Sequence, residues 1–223
     1  MPNADHRLAE AIIDPIRQGL SAEDFDFDDA SQCFAKRSGD FVQQFQMAFA
    51  DVRGRLVCVP EVGVRSELVE EIFHRTSEYS GRNAASTATL GVSVKLLTGS
   101  EDFDLVLVDT DDVDPAIDRA KSAFRDVAVP YFAQYCSLKQ IDAALNDNPE
   151  EPCIHMLNER ARCSRGLIVA KLLNRRNYSE LVQIYDRKVA RAGAMTYKKY
   201  FRPLVAELEQ VRALHESTES QMD

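Results

Sequence analysis

The residues of this sequence best suited to chemistry are carboxylates crowded into one short stretch. Residues 101–118 hold eight acidic side chains and no lysine or arginine. Carboxylate oxygens are ligands that Ca²⁺ and Mg²⁺ prefer, so the run Asp109–Asp114 could hold a divalent ion. A calcium loop, however, needs glycine at its sixth position and glutamate at its twelfth, where this run has Asp114 and Ala120. The calcium-loop pattern fails, and we predict no metal site.

Histidine and cysteine show no spacing typical of a catalytic or metal centre. The five cysteines include no CxxC pair. Glu70 and His74 stand at helical spacing without a distinctive third ligand, so we interpret His74 as an exposed helix residue beside an acid. His155 with Cys153 or Cys163 lacks the flanking signature of a Cys–His enzyme. Glycine-rich phosphate loops and the GxSxG motif are also absent, so no catalytic residue and no cofactor are predicted.

Composition predicts a folded chain without a membrane segment. Its 223 residues are 45% hydrophobic and 28% charged, which is ordinary for a globular protein that can bury a core. No apolar run approaches the about 20 residues that cross a bilayer, and the first 20 residues lack a signal-peptide block. We therefore expect a cytoplasmic protein with reduced cysteines and no membrane partner.

Alternating hydrophobicity predicts strands in the first half of the chain. Phe41–Phe49 alternates aromatic or apolar residues with mostly glutamine, as in a strand with one buried face. Leu56–Val64 is apolar enough for a central strand, although Pro60 indicates an edge or a bulge. Thr87–Leu97 alternates as well, and the glycine-containing turn after it favours a hairpin with Phe103–Val108.

The hydrophobic period becomes helical in the second half. Asp114 and Pro115 suit the cap and first position of a helix, and Pro130 is expected to bend the chain. The segment Asn148–Pro152 has the composition of a linker. Strands over residues 30–110 and helices over residues 114–214 are typical of an α+β protein.

The predicted fold class is therefore α+β. A mostly antiparallel sheet comes from the N-terminal half, and a C-terminal group of helices packs on it. The sequence shows no repeat, so residues 1–223 are taken as a single α+β domain.

Charge is distributed unevenly along the chain. The net charge of −9 argues against nucleic acid as a partner, because neutralising phosphates requires a surplus of lysine and arginine. Residues 156–202 nevertheless hold twelve basic residues and three acids. An RNA-binding module in the C-terminal helices therefore stays an alternative, although such residues are usually solvated or paired internally. Those considered are Arg160, Arg162, Arg165, Lys171, Arg175, Arg176, Lys198 and Lys199.

The order of elements resembles a family of bacterial proteins of unknown function. The similar segments are Phe41–Gln46, Leu56–Val64, Val129–Phe132 and Arg165–Leu172, within an outline that spans about residues 8–210. The resemblance implies strand pairing, a helix bend and close helix packing at Gly166, and it supplies no catalytic residue. Some members are similar in style to immunity proteins that guard against polymorphic toxins.

These observations favour a non-enzymatic binding protein, although catalysis is left open. The expected role is that of an immunity protein whose acidic surface neutralises a toxin with a basic domain, since complementary charge speeds association and selects the partner. The alternative enzyme is a metal-dependent hydrolase that uses the Asp109–Asp114 carboxylates. The residues predicted to bind the protein partner are Glu101, Asp102, Asp104, Asp109, Asp111, Asp112 and Asp114.

Overall fold

The computed structural model of the chain describes residues 4–77, 86–193, 195 and 197–214. Its strands are β1 (Asp26–Asp28), β2 (Cys33–Ser38), β3 (Phe41–Asp51), β4 (Leu56–Ser66), β5 (Leu90–Ser93) and β6 (Leu105–Leu107). Its helices are α1 (Ala4–Ser21), α2 (Glu67–Arg75), α3 (Val94–Thr98), α4 (Val113–Ser122), α5 (Val129–Tyr135), α6 (Leu138–Asn146), α7 (Glu159–Leu172), α8 (Tyr178–Ala192) and α9 (Arg202–Leu208). Segments Ala123–Ala128 and Tyr197–Phe201 are π-helical, and Glu101–Phe103 and Thr110–Asp112 form 3-10 turns. The α+β prediction is confirmed.

All the described strand pairs are antiparallel, in the order β1-β2-β3-β4-β5. β6 also pairs with β4, at residues 56–58, whereas β5 pairs with residues 61–64. Pro60 lies between these two segments, where β3 is the remaining partner of β4, and this position tolerates a residue without an N–H group.

The predicted hairpin between Thr87–Leu97 and Phe103–Val108 is wrong, because β5 and β6 pair with β4 and not with each other. The alternating pattern ends in the short helix α3. Its first turn is capped by the Ser93 side chain, which accepts a hydrogen bond from the backbone N–H of Leu96. Gly99 ends it in the left-handed region at φ 69°. These two caps form a helix in spite of the alternation of apolar and polar residues that predicted a strand.

The two faces of the sheet have different roles. Phe45 and Met47 of β3 are fully buried on the core face, where the ring of Phe45 lies 5.4 Å from that of Phe124. The prediction of a strand with one buried face is confirmed there. The amide face carries Gln44 and Gln46 opposite Gly63 and Glu61 of β4 and turns away from this core.

Helix α4, the following π-helical segment and α5 run consecutively, and Pro130 lies in the first turn of α5, directly after the helix changes type. The residues around the predicted linker at Asn148 are held in place by the buried Arg162, 1% exposed. Its guanidinium donates hydrogen bonds to the carbonyls of Leu145, Asn148 and Glu151. This segment is therefore a fixed loop of the α6–α7 connection.

Gly166 of α7 lies in contact with both α6 and α8. A Cβ atom there would stand 2.5 Å from Oδ1 of Asn146 and 3.1 Å from the ring of Tyr185. The Asn146 amide donates to the Gly166 carbonyl, and the Tyr185 hydroxyl donates to Asn146 Oδ1. The close packing expected at Gly166 is therefore present.

None of the helices within the described ranges combines the length and the apolar character needed to cross a bilayer.

Candidate functional site

The first part of the predicted acidic site is partly neutralised within the chain, since one lysine is shared by two of its carboxylates. Lys95 Nζ lies 2.5 Å from Glu101 Oε2 and 2.6 Å from Asp104 Oδ2. These contacts raise the pKa of Lys95, because its ammonium donates hydrogen bonds to Asp104 and to Glu101. Asp102 accepts a hydrogen bond from the Ser100 hydroxyl at 3.1 Å. This end of the stretch therefore fixes the turn between α3 and β6.

The next carboxylates shape the chain between β6 and α4. Asp112 accepts hydrogen bonds from the backbone N–H groups of Val108 (2.7 Å) and Asp109 (3.3 Å), and these lower its pKa. Asp109 in turn accepts from the N–H of Asp111 at 2.9 Å. Together they form a capping box ahead of the 3-10 turn. The prediction that Asp114 caps a helix is wrong, because α4 begins at Val113 and Asp114 lies in its first turn.

The remaining carboxylates face outward without a cation. Asp111, Asp114 and Asp118 are exposed, and they form no ion pair within the described residues. Val106 and Val108, next to them along the chain, are 43% and 63% exposed. We refer to Asp109, Asp111, Asp112, Asp114 and Asp118 together with these two valines as the acidic surface.

The described part of the chain contains no group of three or more histidine, cysteine, aspartate or glutamate residues that could hold a metal ion. The hydrolase alternative at Asp109–Asp114 therefore gains no support from the geometry.

A second cluster of charges, which sequence reasoning missed, lies inside the molecule. Glu70 of α2 has no exposed surface, and Arg165 of α7 is 3% exposed. The guanidinium meets the carboxylate with two bonds of 2.7 Å, Nε to Oε1 and Nη2 to Oε2. Arg165 also stacks over the ring of Phe73 at 3.9 Å. The pair therefore joins α2 to α7.

Two threonines complete the hydrogen bonding of Glu70. The hydroxyls of Thr87 and Thr89 donate to its oxygens at 2.7 and 2.9 Å. Burial would raise the pKa of Glu70, but the charge of Arg165 and hydrogen bonds from Arg165, Thr87 and Thr89 outweigh it and hold the pKa below its ordinary value. Glu70 is therefore a carboxylate that stays charged in the interior.

His74 belongs to this cluster, and its interpretation as an exposed residue is wrong. Its side chain is 15% exposed, and Nε2 lies 2.9 Å from Thr87 Oγ1 and 3.4 Å from Glu70 Oε2. Thr87 donates its proton to Glu70 and accepts a hydrogen bond from Arg65 at 2.8 Å, so Nε2 of His74 is a donor in its contact with Thr87. The predicted proximity of Glu70 and His74 on one helix face is correct.

A cavity of about 280 Å³ opens beside this cluster, over the amide face of the sheet. Gln44 and Gln46 of β3 and Glu61 of β4 line one side. Arg165 and Ala161 of α7 line another, with the loop before β5. The cavity therefore lies between the polar face of the sheet and the start of a buried helix.

Other candidate constellations do not assemble. The ring nitrogens of His155 lie 3.2 Å from the hydroxyls of Tyr131 and Tyr135. The Cys153 thiol donates to the Ala144 carbonyl, and burial raises the pKa of Cys163 to about 12. A Cys–His catalytic pair is therefore not formed.

Several residues of the proposed RNA surface are used internally. Arg162 and Arg165 are buried, and Arg175 forms ion pairs with Asp142 and, at 3.0 Å, with Asp147. A signal for this was present in the sequence. The run Gly166–Ala170 is apolar on every face, which indicates a buried helix and places the neighbouring arginines inside.

No protein-family model matches this chain, and no curated protein or solved structure is significantly similar to it. The resemblance to a bacterial family therefore stays a prediction.

Proposed function

We propose that this chain is a non-enzymatic binding protein that holds a protein partner with a basic domain against its acidic surface. A bacterial toxin inhibited by a cognate immunity protein is the pairing that fits the proposal best. The chain would meet its partner in the cytoplasm, and its five cysteines, all free thiols, suit that compartment.

The observation that carries the proposal is the uncompensated charge of Asp111, Asp114 and Asp118. Carboxylates that already pair with internal cations have little left to offer a partner, as with Glu101 and Asp104 on Lys95. The three exposed aspartates have no such cation within the described ranges. Complementary charge raises association rates and discriminates between partners.

The exposed valines add an apolar component to the same surface. Val106 lies on β6, and Val108 directly follows it. Interfaces combine a desolvated apolar centre with a polar rim, so valines flanked by carboxylates suit a partner whose own apolar patch is ringed by lysine or arginine.

The structure permits a test that leaves the fold intact. Asp111, Asp114 and Asp118 contribute no side-chain hydrogen bond to the described structure, so the triple change to asparagine removes three charges without breaking a cap. We expect affinity for the partner to fall by about 3-fold to 150-fold at low salt, because each of the three exposed charges is worth about 0.2–1 kcal/mol when it meets an opposite charge. Recombinant proteins encoded beside its gene, tested singly by calorimetry, provide the candidate partners.

The matched control is a triple variant that removes three negative charges from exposed positions elsewhere. Its changes are Asp14→Asn, Asp40→Asn and Glu180→Gln. It should leave affinity unchanged apart from a small general effect of net charge. Equal affinity of the wild type and the Asp111, Asp114 and Asp118 variant, or equal affinity at low and high salt, would contradict the proposal.

A further inference from the structure

The amide face of the sheet has a depression whose shape follows from its register. Gln44, Gly63 and Gly91 lie side by side across β3, β4 and β5, and the next row consists of Gln46, Glu61 and Ser93. The two glycines contribute no side chains to the first row, and Ala88 packs over them, with its Cβ 3.0 Å from the place that a Gly63 Cβ would take. The cavity of about 280 Å³ lies at this depression.

The side chain of Gln44 is polar, buried and unpartnered. It is 7% exposed, and its amide has no hydrogen bond to any residue that the structure describes. Gln46 differs, since its amide nitrogen donates to the Ser31 carbonyl at 3.1 Å, which leaves its oxygen as an acceptor. The amide atoms keep some accessible surface, since Gln44 is not among the described residues with a fully buried, unbonded polar atom, and they are therefore open to a molecule in the cavity.

Glu61 is a half-buried carboxylate without a cation. It lines the cavity and has neither an ion pair nor a side-chain hydrogen bond within the described part of the chain. Burial raises its pKa, and no neighbouring positive charge opposes that effect. The contrast with Glu70, whose charge is fully compensated, is direct. A perturbed carboxylate of this kind in a cleft is typical of a binding site.

The nearby arginine does not change the sign of the cavity. Arg165 lies on the cavity wall, but its charge is matched by the two bonds to Glu70. The groups open to a ligand are thus the carboxylate of Glu61, the oxygen of Gln46 and the amide of Gln44. The carboxylate of Glu61 and the amide oxygens of Gln44 and Gln46 belong to residues that line the same cavity, and oxygen acceptors suit the N–H donors of a cation.

We propose that the cavity is a binding site for a cationic nitrogen group, an ammonium or guanidinium on a short aliphatic stem. The charged head binds Glu61 and the oxygens of Gln44 and Gln46, and the stem lies against Met156 and Ala161. The volume is near the lower end of the about 300–1,000 Å³ found for ligand pockets, so the ligand is small. The site is built by residues outside the acidic surface and does not depend on the proposed function.

The same head group occurs on free amines and on lysine or arginine side chains of a protein. Calorimetric titration with butylamine and agmatine tests the first source. Titration with acetylated, amidated tripeptides Gly-Lys-Gly and Gly-Arg-Gly tests the second. We expect saturable binding of at least one of these probes. Binding of the amines alone assigns a free ligand, and tighter binding of the peptides assigns a protein side chain.

Glu61→Gln is the decisive variant, because it keeps the shape and removes the charge. It should lower the affinity for the probe at least tenfold. Glu180→Gln, a change of the same kind at an exposed position, should leave the affinity unaltered. Gln44→Leu, which removes the open amide without touching the charge, provides a second variant and should weaken binding several-fold. Thermal unfolding of each variant verifies that it folds.

Three results would overturn the proposal. The first is that no probe binds at millimolar concentration and 10-fold molar excess. The second is that wild type and both cavity variants bind a probe equally well, and the third is that the neutral analogue butanol binds as well as butylamine does. Binding should also strengthen as the pH rises from about 4 to 7, since the ionised carboxyl of Glu61 is the form that attracts a cation.

Discussion

Two glutamates of the same molecule illustrate how a residue's surroundings decide its role. Glu70 is buried with a guanidinium and two hydroxyls that satisfy its oxygens. Glu61 is half-buried and has no such partner in the described structure. Desolvation opposes ionisation in both, and Arg165 reverses that effect for Glu70 alone. The first residue is therefore structural, and the second is open to a ligand.

Replacing Arg165 by methionine should destabilise the protein strongly. The change removes the guanidinium that binds Glu70 with two short bonds and leaves the more distant Arg65, whose Nη1 lies 3.9 Å from Glu70 Oε2. Breaking a buried ion pair costs about 3–5 kcal/mol. Urea unfolding followed by circular dichroism measures the loss. The double change Glu70→Leu with Arg165→Met should cost less than Arg165→Met alone, because no unpaired charge remains.

Arg75→Met is the matched control for that experiment. Arg75 also bonds to glutamates, Glu71 and Glu207, but its side chain is 51% exposed. An exposed ion pair contributes about 1 kcal/mol or less. Similar losses for the Arg165 and Arg75 variants would show that the buried pair is not the stronger contact.

The raised pKa of Glu61 makes a prediction about pH. The folded protein holds the proton of Glu61 to higher pH than the unfolded chain does. Below the ordinary pKa both states are protonated, and above it the unfolded chain releases its proton first, so this residue lowers stability as the pH rises towards neutral. Glu61→Gln should therefore become more stable relative to wild type between about pH 4 and pH 7.

Urea unfolding at several pH values measures this difference. Glu67→Gln is a suitable comparison, since Glu67 lies at the start of α2, six residues after Glu61, and has arginine partners. If the difference in unfolding free energy between wild type and the Glu61 variant stayed constant from about pH 4 to pH 7, the raised pKa of Glu61 would be refuted.

At the level of elements, the contact of α6, α7 and α8 depends on the absence of a side chain at Gly166. A methyl group there would collide with Asn146 Oδ1, and Asn146 cannot move without losing its bonds to Gly166 and Tyr185. Gly166→Ala should therefore destabilise the protein by about 1–3 kcal/mol, although alanine is the better helix former.

Gly19→Ala is the control for Gly166→Ala. Gly19 also lies within a helix, α1, but a Cβ atom there meets nothing within 4 Å. This change should leave stability unchanged or raise it by up to about 1 kcal/mol. A Gly166 variant as stable as the Gly19 variant in chemical denaturation would contradict the packing argument.

Over the whole molecule, positive charge is partly internal and negative charge is more often external. Arg162 and Arg165 are buried, and Arg175 pairs with Asp142 and Asp147. The C-terminal half thus presents less positive charge than its composition indicates. The acidic surface keeps its negative charge, and this difference supports the proposed basic partner over the RNA alternative.

Patterns local in sequence were enough to predict much of the fold. The alternation of Phe41–Phe49 and the helical period after residue 114 both correspond to elements of the structure. Each depends on residues within a few positions of one another. Local competition explains the main error, because the caps at Ser93 and Gly99 override an alternating pattern.

The charge clusters depend on contacts that no local pattern contains. Glu70 and Arg165 are 95 positions apart, and they meet because α2 and α7 pack together. The cavity likewise requires the register of three strands and the position of α7 above them. Residue types alone determined which side chains could carry charge. Burial and packing in three dimensions decided which of those charges are satisfied and which are left open.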